Sequence, residues 1–236
     1  MKFSPSNINT FFKCPFFFRL RYVDKIQMVE VQNDKHQLGT NMHLILKEYF
    51  KLIGAHPTKD MIENVAKSCF AKHFDNSLKN ILPEAEEMLR NFVKFEISRI
   101  PKYTAPVMVE QQIEDETFNG IIDFFDGTKV IDWKTGKILT LGDNECVQGK
   151  VYSHLLASKG YSNVKVYFVT LMNGRCLEMP ATTEQWLLQK TQKMFSMIQA
   201  GQYPKCKSGL CSWCSAQIDC EFDSVLELWS GIKCLT

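Results

Sequence analysis

The chain has 236 residues, enough to bury a substantial core as one large domain or two small ones. With 45% hydrophobic and 23% charged residues it has the make-up of an ordinary globular protein, which argues against disorder over most of its length. A formal net charge of +2 leaves no global electrostatic footprint, so any contact with nucleic acid has to come from local basic clusters.

The amino-terminal stretch MKFSPSNINTFFKCPFFF lacks the apolar run and small-residue cleavage site of a signal peptide. No segment reaches membrane-spanning length. A cytoplasmic setting is therefore expected, the host cytoplasm for a viral source, with no membrane partner. In that reducing compartment nine cysteines point to metal or reactive chemistry, and an odd number cannot all pair within the chain.

Ser4-Pro5 fits a helix cap followed by proline at the first helical position, so NINTFF begins a short helix that Cys14-Pro15 interrupts. FFFRLRYVDKI then reads as a core helix with solvated arginines. Gly39 is expected to precede a helix over TNMHLILKEYFKLI, where Met42, Ile45, Leu46 and Tyr49 recur at helical spacing. Further helices are predicted over DMIENVAKSCFAKHF and over PEAEEMLRNFVKFEISRI up to Pro101. The period then changes, and APVMVEQQIEDETFNGIIDFF reads as strands.

The next strand pair turns at Asp126-Gly127, a dipeptide whose tolerance of positive φ predicts a two-residue hairpin turn. In the second strand, VIDWK, alternation puts Asp132 and Lys134 on one face and Trp133 on the other. With Asp123 in the first strand, two carboxylates and an ammonium then converge. Carboxylates near apolar strands repel one another and lose hydration, so the arrangement is costly unless something binds there. A helix over ECVQGKVYSHLLASKG follows, ending at Gly160, and NVKVYFVTLMNGRCLEMP gives two strands about Asn173-Gly174. TTEQWLLQKTQKMFSMIQAG is a capped amphipathic helix stopped near Gly201, and the cysteine-rich tail has almost no periodicity. Helices, a small sheet, one crossover helix and a strand pair make an α/β (α+β) fold in a single domain over residues 1–236. Within it, 1–100 is mainly helical, 101–200 forms the core and 201–236 is the tail.

His43 adds an imidazole, and Gln148 and Tyr152, four apart, share one face of the crossover helix. The order Gly39-x3-His43, Gly120-x2-Asp123, Asp132-x-Lys134 and Gln148-x3-Tyr152 resembles the RecB-type nucleases of the PD-(D/E)XK superfamily. The resemblance implies a restriction-endonuclease-like core with a small central mixed sheet flanked by helices. It implies that His43, Asp123 and Asp132 hold a divalent metal and that Lys134 serves the attacking water. Gln148 and Tyr152 would contact the strand or support Lys134. The proline-aspartate of the superfamily's name is here Ile122-Asp123, as in RecB-type members with Gly-x-x-Asp. Glu110 matches an acid often present in the family, to bind or position a metal; a solvated strand residue is the alternative, since VEQQIEDET offers three other acids.

Chemistry independent of the family agrees. Carboxylates suit Mg²⁺ or Mn²⁺, and one imidazole shifts the preference toward Mn²⁺. The backbone carbonyl of Trp133 is a further oxygen donor, because its indole faces away. Lys134 either deprotonates or orients the water, or stabilises the transition state as a cation.

Cys211-x2-Cys214-x5-Cys220 places three thiols within ten residues. Structural Zn²⁺ would need a fourth ligand such as Cys206, and an iron-sulfur cluster also takes four. One cysteine before the first motif and this trio after the last resemble the CRISPR-associated exonuclease family and the nuclease domain of the AddB recombination subunit. By that resemblance Cys14, Cys211, Cys214 and Cys220 bind a [4Fe-4S] cluster, with Cys206 competing for one place. Cys69, Cys146, Cys176 and Cys234 read as isolated thiols. Joining Cys14 to the tail closes nearly the whole chain and would restrict the unfolded state by several kcal/mol.

The expected function is a metal-dependent DNA exonuclease acting on single-stranded ends in recombination, replication or CRISPR adaptation. The alternatives are an accessory DNA-binding subunit of a helicase-nuclease or recombination complex, and a zinc-ribbon interaction module. The chain has no room for a helicase of its own, so it acts alone, as a homo-oligomer, or beside a helicase, recombinase or CRISPR integrase.

Overall fold

The computed structural model describes residues 1–27, 33–137, 140–180, 184–207, 211, 214–216 and 220. They fall into two compact units, one from Met1–Val31 with Thr182–Thr236 and one from Gln32–Ala181.

In the first unit, α1 (Pro5–Lys13) is capped as its sequence predicts, with Ser4 Oγ accepting from Asn7 N at 3.3 Å. Cys14 ends α1 and opens α2 (Pro15–Phe18), where its Sγ accepts from Phe17 N at 3.4 Å. The chain continues into a π-helical turn, Arg19–Val23, in which Arg19 is exposed and pairs with Asp24. Helix α7 (Glu184–Gln199) returns to this unit, and Phe3 meets Phe195 with ring centroids 4.9 Å apart. Ile8, Phe11, Phe18, Leu187 and Met194 are buried. The caps predicted for α7 lie outside the described residues, while Gly201 at φ 66° ends the helix where expected.

The second unit begins with α3 (Asp34–Leu52), capped by Asn33, whose side chain accepts from His36 N. Gly39 therefore lies inside this helix rather than before it. The cap at Asn33 supplies a start signal that outweighs glycine's helix cost of about 1 kcal/mol. Helices α4 (Lys59–His73) and α5 (Leu82–Arg99) follow, and then five strands. These are β1 (Met108–Glu114), β2 (Asn119–Phe125), β3 (Lys129–Lys134), β4 (Lys165–Thr170) and β5 (Cys176–Glu178), in that spatial order. All neighbours are antiparallel except β3 and β4, which run parallel and are joined by the crossover helix α6 (Asp143–Ser158).

One sheet face carries the core. Phe124, Ile131 and Trp133 pack against Tyr49 and Phe50 of α3 and Phe92 of α5, with Trp133 edge-on to Phe92 at 5.3 Å and to Phe95 at 5.4 Å. Full burial of each such side chain contributes about 2 kcal/mol or more, so the Trp133 face fixes β3 firmly against the helices. By strand alternation Asp132 and Lys134 point to the other face, where α6 lies.

The β2–β3 turn differs by one residue from the sequence expectation. Asp126 N bonds Lys129 O, so Gly127 and Thr128 occupy the centre, and only Gly127, at φ 95°, is left-handed. The Asp126 carboxylate instead clamps the turn, accepting from Thr128 N at 2.9 Å and Lys129 N at 2.8 Å. Aspartate's capacity to bond backbone two and three residues on won over its tolerance of positive φ.

Candidate metal centre

Strand register assembles the acids. Val109 pairs with Phe124 and Gln111 with Ile122, which sets Glu110 opposite Asp123. Phe124 pairs with Ile131, and the same register continued sets Asp123 opposite Asp132. Three carboxylates thus lie in one row across β1, β2 and β3. At the end of the β2–β3 ladder Asp123 Oδ2 accepts from Trp133 N at 2.8 Å. That bond ties the side chain of one candidate ligand to the backbone beside the next.

Helix α3 supplies His43, whose Nδ1 lies 2.8 Å from Glu110 Oε1 and 3.7 Å from Asp123 Oδ2. One ligand atom each from His43, Glu110 and Asp123 lie within 4.8 Å of one another, so the trio could hold a metal ion. Glu110 belongs to the group, and its backbone is strained to put it there: φ is 45° inside a strand. For a residue with a Cβ that region costs on the order of 1 kcal/mol or more, and such strain concentrates at functional sites.

Asp132 sits beside the trio in a second network. Its Oδ1 accepts from Gln148 Nε2 at 2.6 Å and from Tyr152 OH at 3.3 Å. Gln148 Nε2 also reaches Tyr152 OH at 2.7 Å, as the four-residue spacing on α6 predicts, and Gln148 Oε1 accepts from Lys134 Nζ at 2.6 Å. Lys134 Nζ stands 2.7 Å from Asp132 Oδ2 as an ion pair, without aligning a proton on it, so that buried oxygen has no hydrogen bond.

Electrostatics point the same way. Burial disfavours a charged His43, but the bond to Glu110 and the charges of Asp123, Glu110 and Asp132 outweigh it and push the imidazole up to about 9. Burial, then the charge of Asp132, raises the Asp123 carboxyl well above the usual range. Protons on His43 and Asp123 thereby supply positive charge that a divalent ion would otherwise bring. Tyr152 is also pushed well up, by burial first and then by Asp132 and Asp123, so it stays a neutral hydroxyl.

Two glycines permit close approaches here. A Cβ on Gly120 would lie 3.0 Å from Tyr152 Cε1, and one on Gly39 would lie 3.1 Å from Thr135 Oγ1. Two features escaped the sequence reading. Asp115, one of the other acids of β1 and its turn, pairs with His154 of α6 at 2.9 Å and anchors that turn. Along α3, a cleft of about 530 Å³ opens onto His43 and Glu110, lined also by Lys35, His36, Thr40, Leu44, Lys47 and Thr135. Helical spacing singled out Met42, Ile45, Leu46 and Tyr49 on the other side of this helix.

The thiols of the first unit are also neighbours. Burial raises Cys220, the Lys205 ammonium opposes this, and the charges of Cys14, Cys214 and Cys211 raise it further. Cys14, Cys211, Cys214 and Cys220 thus share one electrostatic neighbourhood. Cys206 is buried close by, its carbonyl 3.8 Å from Cys211 Sγ. Of the remaining thiols, Cys69 is buried, Cys146 half-buried and Cys176 exposed, and Cys234 lies outside the described residues.

No helix among the described residues is long and apolar enough to cross a membrane. No curated protein sequence matches the chain significantly. Among solved structures, one from Eubacterium rectale described as a "putative exonuclease" is similar, with 14% identity and a TM-score of 0.61, covering 98% of this chain and 94% of that one. A second, described as SSO0001, has 12% identity and a TM-score of 0.34 over 88% of this chain and 95% of that one. The first shares the fold. The sequence profile of the PD-(D/E)XK nuclease superfamily matches residues 2–221, across both units and every motif above, and the chain belongs to that superfamily.

Proposed function

We propose that this nuclease is a divalent-metal-dependent deoxyribonuclease that hydrolyses phosphodiester bonds at single-stranded DNA ends as one functional domain. The carrying observation is the row Glu110–Asp123–Asp132 with His43 at one end and Lys134 at the other. His43, Glu110, Asp123, Asp132 and the Trp133 carbonyl would hold Mn²⁺ or Mg²⁺. When bound, the ion polarises the scissile phosphate, lowers the pKa of water and offsets charge on the phosphoryl oxygens. Lys134, held by Gln148 and paired with Asp132, would as an ammonium orient the attacking water or neutralise the developing charge, and it could take the water's proton only from its neutral amine form. Tyr152 keeps Gln148 in place through its hydroxyl. In this reading water loses a proton as its oxygen bonds to phosphorus, the bond to the leaving sugar oxygen breaks, and that oxygen takes up a proton, so the step balances with solvent as the relay.

We assign Cys14, Cys211, Cys214 and Cys220 as ligands of a structural [4Fe-4S] cluster. Their shared neighbourhood and the count of four support this. Structural Zn²⁺ is the competing occupant; brown colour and broad visible absorbance after anaerobic purification separate the two. The setting proposed is cytoplasmic, beside a helicase, recombinase or CRISPR integrase.

The test is incubation of the protein and its Asp132→Ala variant with end-labelled DNA and Mn²⁺. Cleavage by the first alone is expected. Cleavage by neither would retire the enzyme in favour of a DNA-gripping subunit. End-blocked and circular substrates, expected to survive, check that it works from ends.

A further inference from the structure

The cleft beside the metal centre is lined by two stripes of α3. Lys35, Gly39, His43 and Lys47 recur every four residues, and His36, Thr40 and Leu44 form the parallel stripe. Residues four apart on a helix are neighbours along a slanting ridge, so both lysines flank the candidate metal ligand along the cleft, Lys47 turned about 40° from His43 and Lys35 about 80° the other way. At a rise of 1.5 Å per residue, Lys47 is about 6 Å along the axis from His43 on one side and Lys35 about 12 Å on the other. Of the acids next to them in sequence, Glu48 bonds Lys51, with the Lys47 charge a lesser influence on it, and Asp34 bonds Asn80. Among the described residues neither Lys35 nor Lys47 forms an ion pair. Leu44 is 44% exposed within this polar lining, a partly open apolar surface among the described residues.

We infer that this face of α3 is a phosphate rail that grips single-stranded DNA on both sides of the scissile bond, with Lys47 and Lys35 on flanking phosphates and Leu44 against a sugar or base. The inference rests on the nuclease reading and deepens it. Positive charge on a cleft leading to a row of carboxylates has a definite use. The ion and the carboxylates manage one phosphate, while neighbouring phosphates, repelled by Glu110 and Asp123, need their own counter-charge. A cleft of about 530 Å³ has room for nucleotides of one strand. Apolar and flat contacts to bases tolerate any sequence, which suits a strand digested without regard to sequence. Lys35 and Lys47 are thus binding residues, and the reaction at the centre does not run through them.

The experiment measures binding of a short fluorescent oligothymidylate in Ca²⁺, with its intactness checked on a gel, across a salt series. Wild type, Lys35→Ala, Lys47→Ala, the double variant and the exposed control Lys67→Ala are compared. For single strands each lost phosphate contact lowers the salt slope by about 0.7, which is about a fivefold loss of affinity near 0.1 M salt. Each single variant is expected to show that loss and the double variant about twice the change in slope, with Lys67→Ala unchanged. In Mn²⁺ cleavage the same variants raise KM and leave kcat. If wild type cuts DNA and both lysine variants keep its slope, the rail is wrong and the nuclease stands; if wild type neither binds nor cuts, both fall. Equal binding of a duplex, with the same losses, would overturn the single-strand assignment.

Discussion

His43, Glu110, Asp123 and Asp132 are fixed by one long helix and three adjacent strands, whereas Cys14 stands between two short helices and Cys211, Cys214 and Cys220 lie beyond α7. The first group is already hydrogen-bonded: Asp123 to the backbone of Trp133, His43 to Glu110, Asp132 to Gln148. Of the thiols, Cys14 accepts one backbone bond from Phe17, and Cys214 N bonds Cys211 O at 3.1 Å. A hard-ion centre so built is pre-organised by the fold and loses function more readily than stability. If the thiols, drawn from both ends of the chain, hold the proposed cluster, they contribute stability through the bonds they make to it.

The largest effect tests the first half of that contrast. Asp132→Ala removes a proposed ligand and the partner of Lys134 together, and Lys134→Ala removes the cation. Each is expected to lower kcat on the order of 10³-fold, the usual scale for positioned acid-base and electrostatic groups. Iron content and melting temperature should stay near wild type. A variant that melted early would show that the carboxylate row holds the sheet together.

Cys14→Ser tests the other half. It is expected to release any bound iron and to cost up to about 5 kcal/mol, the scale of closing a very long loop, while Mn²⁺ uptake by the carboxylate centre changes little. Full retention of iron would transfer the fourth ligand to Cys206, which is buried beside Cys211.

Much of this was legible because strands and helices translate spacing into direction. Asp132 and Lys134 were placed together by alternation, and Gln148 and Tyr152 by helical spacing; the structure joins all four. Gly39 and the Asp126-Gly127 turn misled because a single residue type carries two tendencies, and the neighbouring Asn33 cap and Asp126 side-chain bonds decided which prevailed. Glu110 stayed ambiguous, since among four nearby acids only strand register singles out the one opposite Asp123. The cleft was invisible, because a helix's exposed stripe looks the same facing solvent or a groove.

Protonation gives a third, smaller handle on the pre-organised centre. His43 is raised from 6.5 to about 9, so without metal its interactions stabilise the fold fully below about 6.5, and that contribution is lost as pH rises through about 9. The raised Asp123 shifts stability in the same direction. Chelator-treated protein should therefore melt at lower temperature as pH rises through this window, with Mn²⁺ restoring more at the alkaline end. Near neutral pH, Mn²⁺ must displace the imidazole proton, so calorimetry in buffers of different ionisation enthalpy should report about one proton or more released per ion. Uptake without proton release would place the ion away from His43.

The finest test concerns how tightly α6 must sit. On Gly120 a new Cβ would meet the Tyr152 ring at 3.0 and 3.4 Å and Leu155 Cδ1 at 3.8 Å. The ring has to give by a few tenths of an ångström, and it is buried, with a hydroxyl bonded to Gln148 and Asp132. On Gly149, next to Gln148, the nominal clash is far worse, 2.2 Å from Met179 Sδ, but that contact is the end of a flexible, half-buried side chain that can swing away. Distance alone ranks Gly149→Ala as the more damaging change; the networks rank it second. Gly120→Ala should lower kcat several-fold with KM unchanged, because a displaced Tyr152 loosens Gln148 and with it both Lys134 and Asp132, and misplacement of about 1 Å can cost 10²-fold. Gly149→Ala should stay within about twofold, the scale of a substitution that only repacks a thioether. Tyr152→Phe, which keeps the ring and removes the bonds, should match Gly120→Ala; if it matches wild type instead, the hydroxyl does not hold Gln148 and the support of Lys134 rests on the glutamine alone.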